Sequence, residues 1–201
     1  MTPIERLVRK AEEIVHRPPK YRKETTPIAR LDPCVVDTNV AVVANARSTA
    51  GERCGSVCAK RLLDIVAGGH VVIDDSYLIM GEYRKNLSSG GQPRAGDRFY
   101  HWLLANYSNP KRCTRVPITP GPNGSYEEFP EHPRFRGFDR SDHKFIAVAA
   151  AHPERPAVLQ AFDAKWWGYR DAFDACGIVV EFLCAAVIRV KYEEKVGRKC
   201  S

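Results

Sequence analysis

The sequence predicts an α/β protein built on a mostly parallel sheet, and two patterns lead there. From Pro33 onward, short apolar runs alternate with longer stretches of helical periodicity, the order in which crossover helices join parallel strands. Acidic residues follow several of the apolar runs, at the strand ends where a parallel sheet presents its functional groups. At 201 residues the chain can bury a sizeable core, and its length favours one domain with elaborations over two.

Residues 1–32 precede the domain as a basic N-terminal segment. Pro3 to His16 sets Ile4, Leu7, Val8, Ala11, Ile14 and Val15 at helical spacing opposite Arg6, Arg9, Lys10 and Glu12. An amphipathic helix packing on the domain's flank is expected, with a docking arm for RNA or a protein partner as the alternative. The tract RPPKYRKETTPIARLDP then reads as a proline-bearing linker.

The domain proper spans 33–184. Cys34 to Val36 is a short apolar strand, and Gly55 to Ala67 is a helix stopped by Gly68 and Gly69. His70 to Ile73 is a second strand and Ser76 to Leu87 a helix, with Asp74 and Asp75 supplying its turn and N-cap. Gly96 to Asn109 is a further helix. Prolines 117, 120, 122, 130 and 133 then break the rhythm within Lys111 to Gly137. This is an insertion over 110–138, too long for an idle connection, with a short strand at Thr114 to Ile118. Regular structure resumes as a helix at Asp142–Ala151, a strand at Ala157–Phe162, a helix at Lys165–Ala175 and a strand at Ile178–Cys184. Residues 185–201 alternate weakly and read as a charged tail.

A formal charge of +7 and an isoelectric point near 9.1 favour a polyanionic partner such as nucleic acid. The seven cysteines are odd in number and scattered, so they read as reduced thiols of a cytoplasmic protein. Cys54 and Cys58 stand at i,i+4, which would let both touch one ion, but no second Cys/His pair completes a zinc pattern. No apolar run approaches the ~20 residues of a membrane helix, and the charged start lacks a secretory signal, so no membrane partner is expected.

Four acids carry the chemistry. Asp37 ends the strand in PCVVDTNV, Glu82 sits in the helix after HVVIDDS, Asp142 opens DHKFIAVAAA, and Asp163 follows AVLQAF. Carboxylates crowded in one cleft raise one another's pKa unless cations neutralise them. Hard divalent cations with oxygen ligands, Mg²⁺ or Mn²⁺, answer that need and are the usual partners of phosphate chemistry. Each acid also has a local alternative: Asp37 as a turn cap, Asp142 as a helix-start acid, Glu82 as a partner of Arg84 or Lys85.

In order and spacing, PCVVDTNV, GEY within a helix, DRSDHKFIAVAAA and AVLQAFDAKWW resemble the PIN-domain nucleases over roughly Pro33 to Cys184. The resemblance implies a three-layer α/β/α fold with a central, mostly parallel sheet of four to five strands. It implies a divalent-metal-dependent endoribonuclease, toxin-like or RNA-processing, leaving 5′-phosphate and 3′-hydroxyl ends. Asp37, Glu82, Asp142 and Asp163 match its catalytic metal ligands, Asp139 an outer acid, and Thr38 and Asn39 supporting residues. An inhibitory or regulatory protein and a homodimer are the partners it implies. Where the family often has a hydroxyl residue before the last Asp and an acid two positions after it, this chain has Ala161, Phe162 and Lys165. A DNA or structure-specific nuclease and an inactive RNA- or protein-binding scaffold stay open beside the leading reading.

The candidate nucleic-acid contacts are Arg134, Arg136, Arg140, Lys144 and Lys165. In PRFRGFDR the arginines interleave with Phe135 and Phe138, which suits either stacking of splayed bases or a loop packing its aromatics inward. Of Trp166 and Trp167, at least one anchors the last helix in the core. The six histidines form no Ser/His/Asp or HxxxH arrangement, and no Walker or dinucleotide loop is present.

Overall fold

Cys34, Val35 and Val36 are almost wholly buried, and the strand that they form is the middle of the sheet. A computed structural model describes residues 32–46, 50–88 and 90–197. Its five strands are β1 (Cys34–Val36), β2 (Val71–Asp74), β3 (Cys113–Val116), β4 (Ala157–Gln160) and β5 (Val180–Phe182). They lie in the order β3-β2-β1-β4-β5, and every pairing is parallel. Consecutive apolar residues such as Val71, Val72 and Ile73 form the inner strands because a parallel sheet covered on both faces buries both sides of each strand.

From β1 to β3 the chain steps one way across the sheet, and from β3 to β5 it steps the other way. Right-handed crossovers therefore send the helices of the two halves to opposite faces. The first half carries α1 (Thr38–Ala44), α2 (Glu52–Gly68), α3 (Leu78–Asn86) and α4 (Ala95–Asn106). Of these, α1, α2 and α4 pack on one another. The second half carries α5 (His143–Ala151), which lies across β1, β2 and β4, then α6 (Ala164–Trp167) and α7 (Arg170–Ala175). The result is the expected three-layer α/β/α architecture.

A buried polar knot fixes α1. The Asn45 amide donates to Asp97 Oδ1 at 2.8 Å and accepts from the Gly96 N–H at 2.9 Å, while Arg94 Nη1 donates to the Asn45 carbonyl at 2.6 Å. Gly96 permits this approach, since a Cβ there would overlap the Ala41 carbonyl.

Several features depart from the sequence reading, among them the helix Thr38–Ala44, which that reading did not mark. The helix expected over Lys165–Ala175 is broken between α6 and α7 at Gly168, on which the Tyr192 ring lies. Residues 185–197 are not a loose tail but a helix, α8 (Ala185–Gly197), packed against α6. Ile188 is buried while Val187 and Val190 are exposed, so its apolar residues do not mark one face. The expectation that all cysteines are reduced is corrected: Cys54 and Cys184 form a disulfide, their Cα atoms 5.6 Å apart across 130 residues of sequence. The helix expected at 3–16 lies outside the described residues. Among the described residues, no helix is long and apolar enough to cross a membrane.

Candidate active site

The direction of the strand order reverses between β1 and β4, and the loops leaving their carboxyl ends diverge to opposite faces. Open α/β sheets bind ligands in the crevice at such a point. Asp37 follows β1 directly, and Asp163 comes three residues after β4. The two loops are stitched together: the Asp37 N–H donates to the Leu159 carbonyl at 3.0 Å, and the Ala161 N–H donates to Asn39 Oδ1 at 2.9 Å. Asn39 thus supports the site through its amide. Thr38 is buried beside it, and its Oγ1 has no hydrogen-bond partner among the described residues.

Asp37 is 4 % exposed and caps α1, accepting the Asn39 N–H at 2.8 Å. Its carboxyl is held well above the usual carboxylate range by burial first, then by the charges of Asp142, Glu82 and Asp163, against the lowering effect of that amide. All four predicted acids therefore share one electrostatic neighbourhood. Asp142 ends a 3₁₀ turn (Arg140–Asp142) at the head of α5, and its carboxyl is raised to about 6. Burial is the main cause, Asp139 and Asp163 add to it, and the Trp166 indole and Lys144 oppose it. Asp163 caps α6, accepting the Lys165 N–H at 2.9 Å.

Glu82 reaches the crevice from α3, and its Oε2 lies 2.5 Å from Lys144 Nζ. Lys144, expected as a surface phosphate contact, is instead 8 % exposed and donates also to the Ser141 carbonyl. It is an internal counter-ion, directed to the site because residue 144 falls on the first turn of the helix that follows Asp142. Among the described residues, no three of the carboxylates bring ligand oxygens within 4.8 Å of one another; the group that does meet this spacing is Cys54, Cys58 and Cys184.

Asp139 takes an outer place. It accepts from the Ser141 N–H at 3.0 Å and hydroxyl at 2.8 Å, and those bonds, more than Lys165 at 3.5 Å, hold its carboxyl below the ordinary value. Arg134 pairs with Asp171 at 3.2 Å and Arg140 donates to the Asn123 carbonyl at 2.8 Å, while Arg136 is exposed. Phe135 and Phe138 pack inward against Phe173, so of the two readings left open for this segment the structure selects the apolar one.

Two cavities flank the acids. One of about 550 Å³ is lined by Asp139, Asp142, Lys165, Tyr169, Tyr192 and Lys195 among others, and one of about 460 Å³ by Asn39, Phe162, Asp163, Lys191 and Lys195. Tyr192, Lys191 and Lys195 belong to α8, the helix that the sequence pattern did not mark. The other residue missed is Trp166, whose Nε1–H donates to Asp142 Oδ2 at 2.9 Å while its ring is fully buried. Only the DAKWW spacing hinted at it. No family model, curated protein or solved structure matches the chain.

Proposed function

We propose that the chain is a divalent-metal-dependent nuclease of PIN-like type, acting on RNA by preference and leaving 5′-phosphate and 3′-hydroxyl ends. The observation that carries this reading is the buried Asp37 with the partly buried Glu82, Asp142 and Asp163 close enough to act on its charge, at the reversal of the strand order. Its donors are all oxygens, and the neighbouring negative charge that adds to burial in raising Asp37 and Asp142 is what a hard divalent cation relieves, so the donor chemistry suits Mg²⁺ or Mn²⁺. These four acids would hold it, with Asp139 outside them. Such an ion, when bound, neutralises a phosphodiester and lowers the pKa of an attacking water.

The chain's own groups prepare that event. Asn39 and the Asp37 amide lock the loops after β1 and β4 together, and Trp166 orients the Asp142 carboxylate. Burial of Asp37 excludes water from its carboxyl. Lys165, Lys191 and Lys195 line the two cavities and attract the sugar–phosphate backbone. The Lys144–Glu82 pair favours a second reading, a scaffold that binds RNA without cutting, since an ammonium already partners one of the acids.

The test incubates purified protein with mixed RNA and DNA, with Mn²⁺, with Mg²⁺ and with chelator, beside Asp37→Asn. RNA cleavage that needs the metal and falls more than about 100-fold in the variant is expected, a loss beyond that of a mere supporting partner. Cutting of DNA moves the substrate class. Tight RNA binding with no cleavage under any metal sinks the nuclease and leaves the scaffold.

A further inference from the structure

We propose that Cys54, Cys58 and Cys184, once reduced, bind one soft thiophilic cation of the copper(I) class, at a site independent of the acid crevice and of the nuclease reading. Cys54 and Cys58 lie one turn apart on α2, and Cys184 lies between β5 and α8. Their sulfurs all fall within 4.8 Å of one another, and the residues are 3 %, 0 % and 6 % exposed. Three sulfurs so placed need only modest rotamer changes to surround one ion once the Cys54–Cys184 bond is open.

The surroundings select the ion. Among the described residues, no histidine or carboxylate joins the group, so the donors are sulfur alone and three in number. Structural zinc takes four ligands, whereas soft thiolate sets select copper(I), and a three-sulfur set suits an ion content with trigonal coordination. Val57, Phe182, Leu183 and Val187, with Arg53 the one charged residue, line a cavity of about 350 Å³ that reaches Cys54 and Cys184, giving an entry path with mostly apolar walls. Burial raises the Cys58 thiol to about 12, so the free sulfur is a protonated, poorly nucleophilic group and not a partner for disulfide exchange.

The chemistry balances without electron transfer to the metal. An external phosphine or dithiol reductant supplies two electrons, and the Cys54–Cys184 bond takes up two protons to give two thiols. The cation then enters and displaces up to three protons to solvent. The disulfide state excludes it, because two of the three sulfurs are then bonded to each other.

The experiment reduces the full chain with a phosphine, removes the excess under nitrogen and titrates copper(I) against bathocuproine disulfonate, read by absorbance. The reduced chain is expected to withhold one equivalent and the disulfide form none. Cys58→Ser should weaken retention at least about 10-fold while leaving the disulfide able to form, and Cys113→Ser, a buried thiol outside the group, should change nothing. Folding is followed by circular dichroism in the same samples, and Cys58→Ala replaces the serine variant should that one unfold. Reduced protein that retains no more copper than the Cys58 variant, equal loss in Cys113→Ser, or unfolding on reduction each overturns the proposal.

Discussion

On either side of Asp142 the molecule is built by opposite rules. Toward Asp37 stand carboxylates that burial and mutual repulsion push away from their charged forms. Toward the 110–138 insertion stands a wall of Phe129, Phe135, Phe138, Phe173 and Trp166, with ring centroids 5.1 Å apart for Phe129–Phe135 and 5.2 Å for Phe138–Trp166. His143, next to Asp142, stacks on Phe129 and bonds to Ser125 Oγ, so the insertion clamps the head of α5. The crevice opposes folding and the wall supports it. A charged site that cannot hold itself together is held by apolar packing beside it, and the proline-rich insertion supplies three of that wall's five rings, α6 and α7 the other two.

The sharpest way to break the contrast is to hollow the wall. Phe138 is 4 % exposed and packs on Phe129, Phe135, Tyr169, Phe173 and Trp166. Phe138→Ala removes a buried aromatic ring that its neighbours cannot easily replace, and about 3–5 kcal/mol of stability should go with it, read by urea denaturation. A loss below about 1 kcal/mol would mean that the wall is not the scaffold.

The crevice should show the reverse behaviour with pH. In metal-free protein Asp142 titrates near 6 when folded and near 3.8 when unfolded, so between those values the folded state binds the extra proton. Stability therefore falls as pH rises from about 4 to about 6 and levels off above, by at most about 3 kcal/mol at 1.36 kcal/mol per pH unit. Asp37, raised in the same sense, adds to the fall. Asp139, lowered, acts with the opposite sign and only in more acid solution, where its proton returns. Urea midpoints measured at each pH with chelator present check this, and Asp142→Asn should flatten the profile. A wild-type profile that rises through the window would mean that burial and the neighbouring acids do not hold the Asp142 carboxyl above its ordinary value.

The same contrast explains what could be read from the chain alone. The inner strands declare themselves as apolar runs stopped by glycine or an acid, and the helices at 52–68 and 143–151 by length and periodicity. Asp37, Asp142 and Asp163 stand out because each lies at or near the end of an element: Asp37 directly after β1, Asp142 at the head of α5 and Asp163 three residues past β4. The helix Thr38–Ala44 is hidden by its seven β-branched-rich residues, and α8 by apolar residues on more than one face. What no local pattern holds is the meeting of distant parts: Lys144 with Glu82, Cys54 with Cys184, and the indole of Trp166 with a carboxylate 24 residues away. Those contacts exist only after the sheet has set its order.

Trp166 joins the two regions, and its conservative replacement separates their contributions with the smallest disturbance. Trp166→Phe keeps an aromatic ring in the wall but removes the N–H that Asp142 accepts at 2.9 Å. A hydrogen bond to a charged group contributes about 1.5–3 kcal/mol, and partial solvent access to Asp142 places the loss toward the lower figure. Since the indole stabilises the ionised carboxylate, its removal should move the Asp142 titration above about 6, and the pH at which stability levels off should rise with it. Carbon-13 titration of the Asp142 carboxyl by NMR reads the shift directly. A destabilised variant whose Asp142 titrates unchanged would assign Trp166 wholly to the wall. A shifted titration with little loss of packing would make it the residue through which the aromatic cluster sets the charge of the crevice.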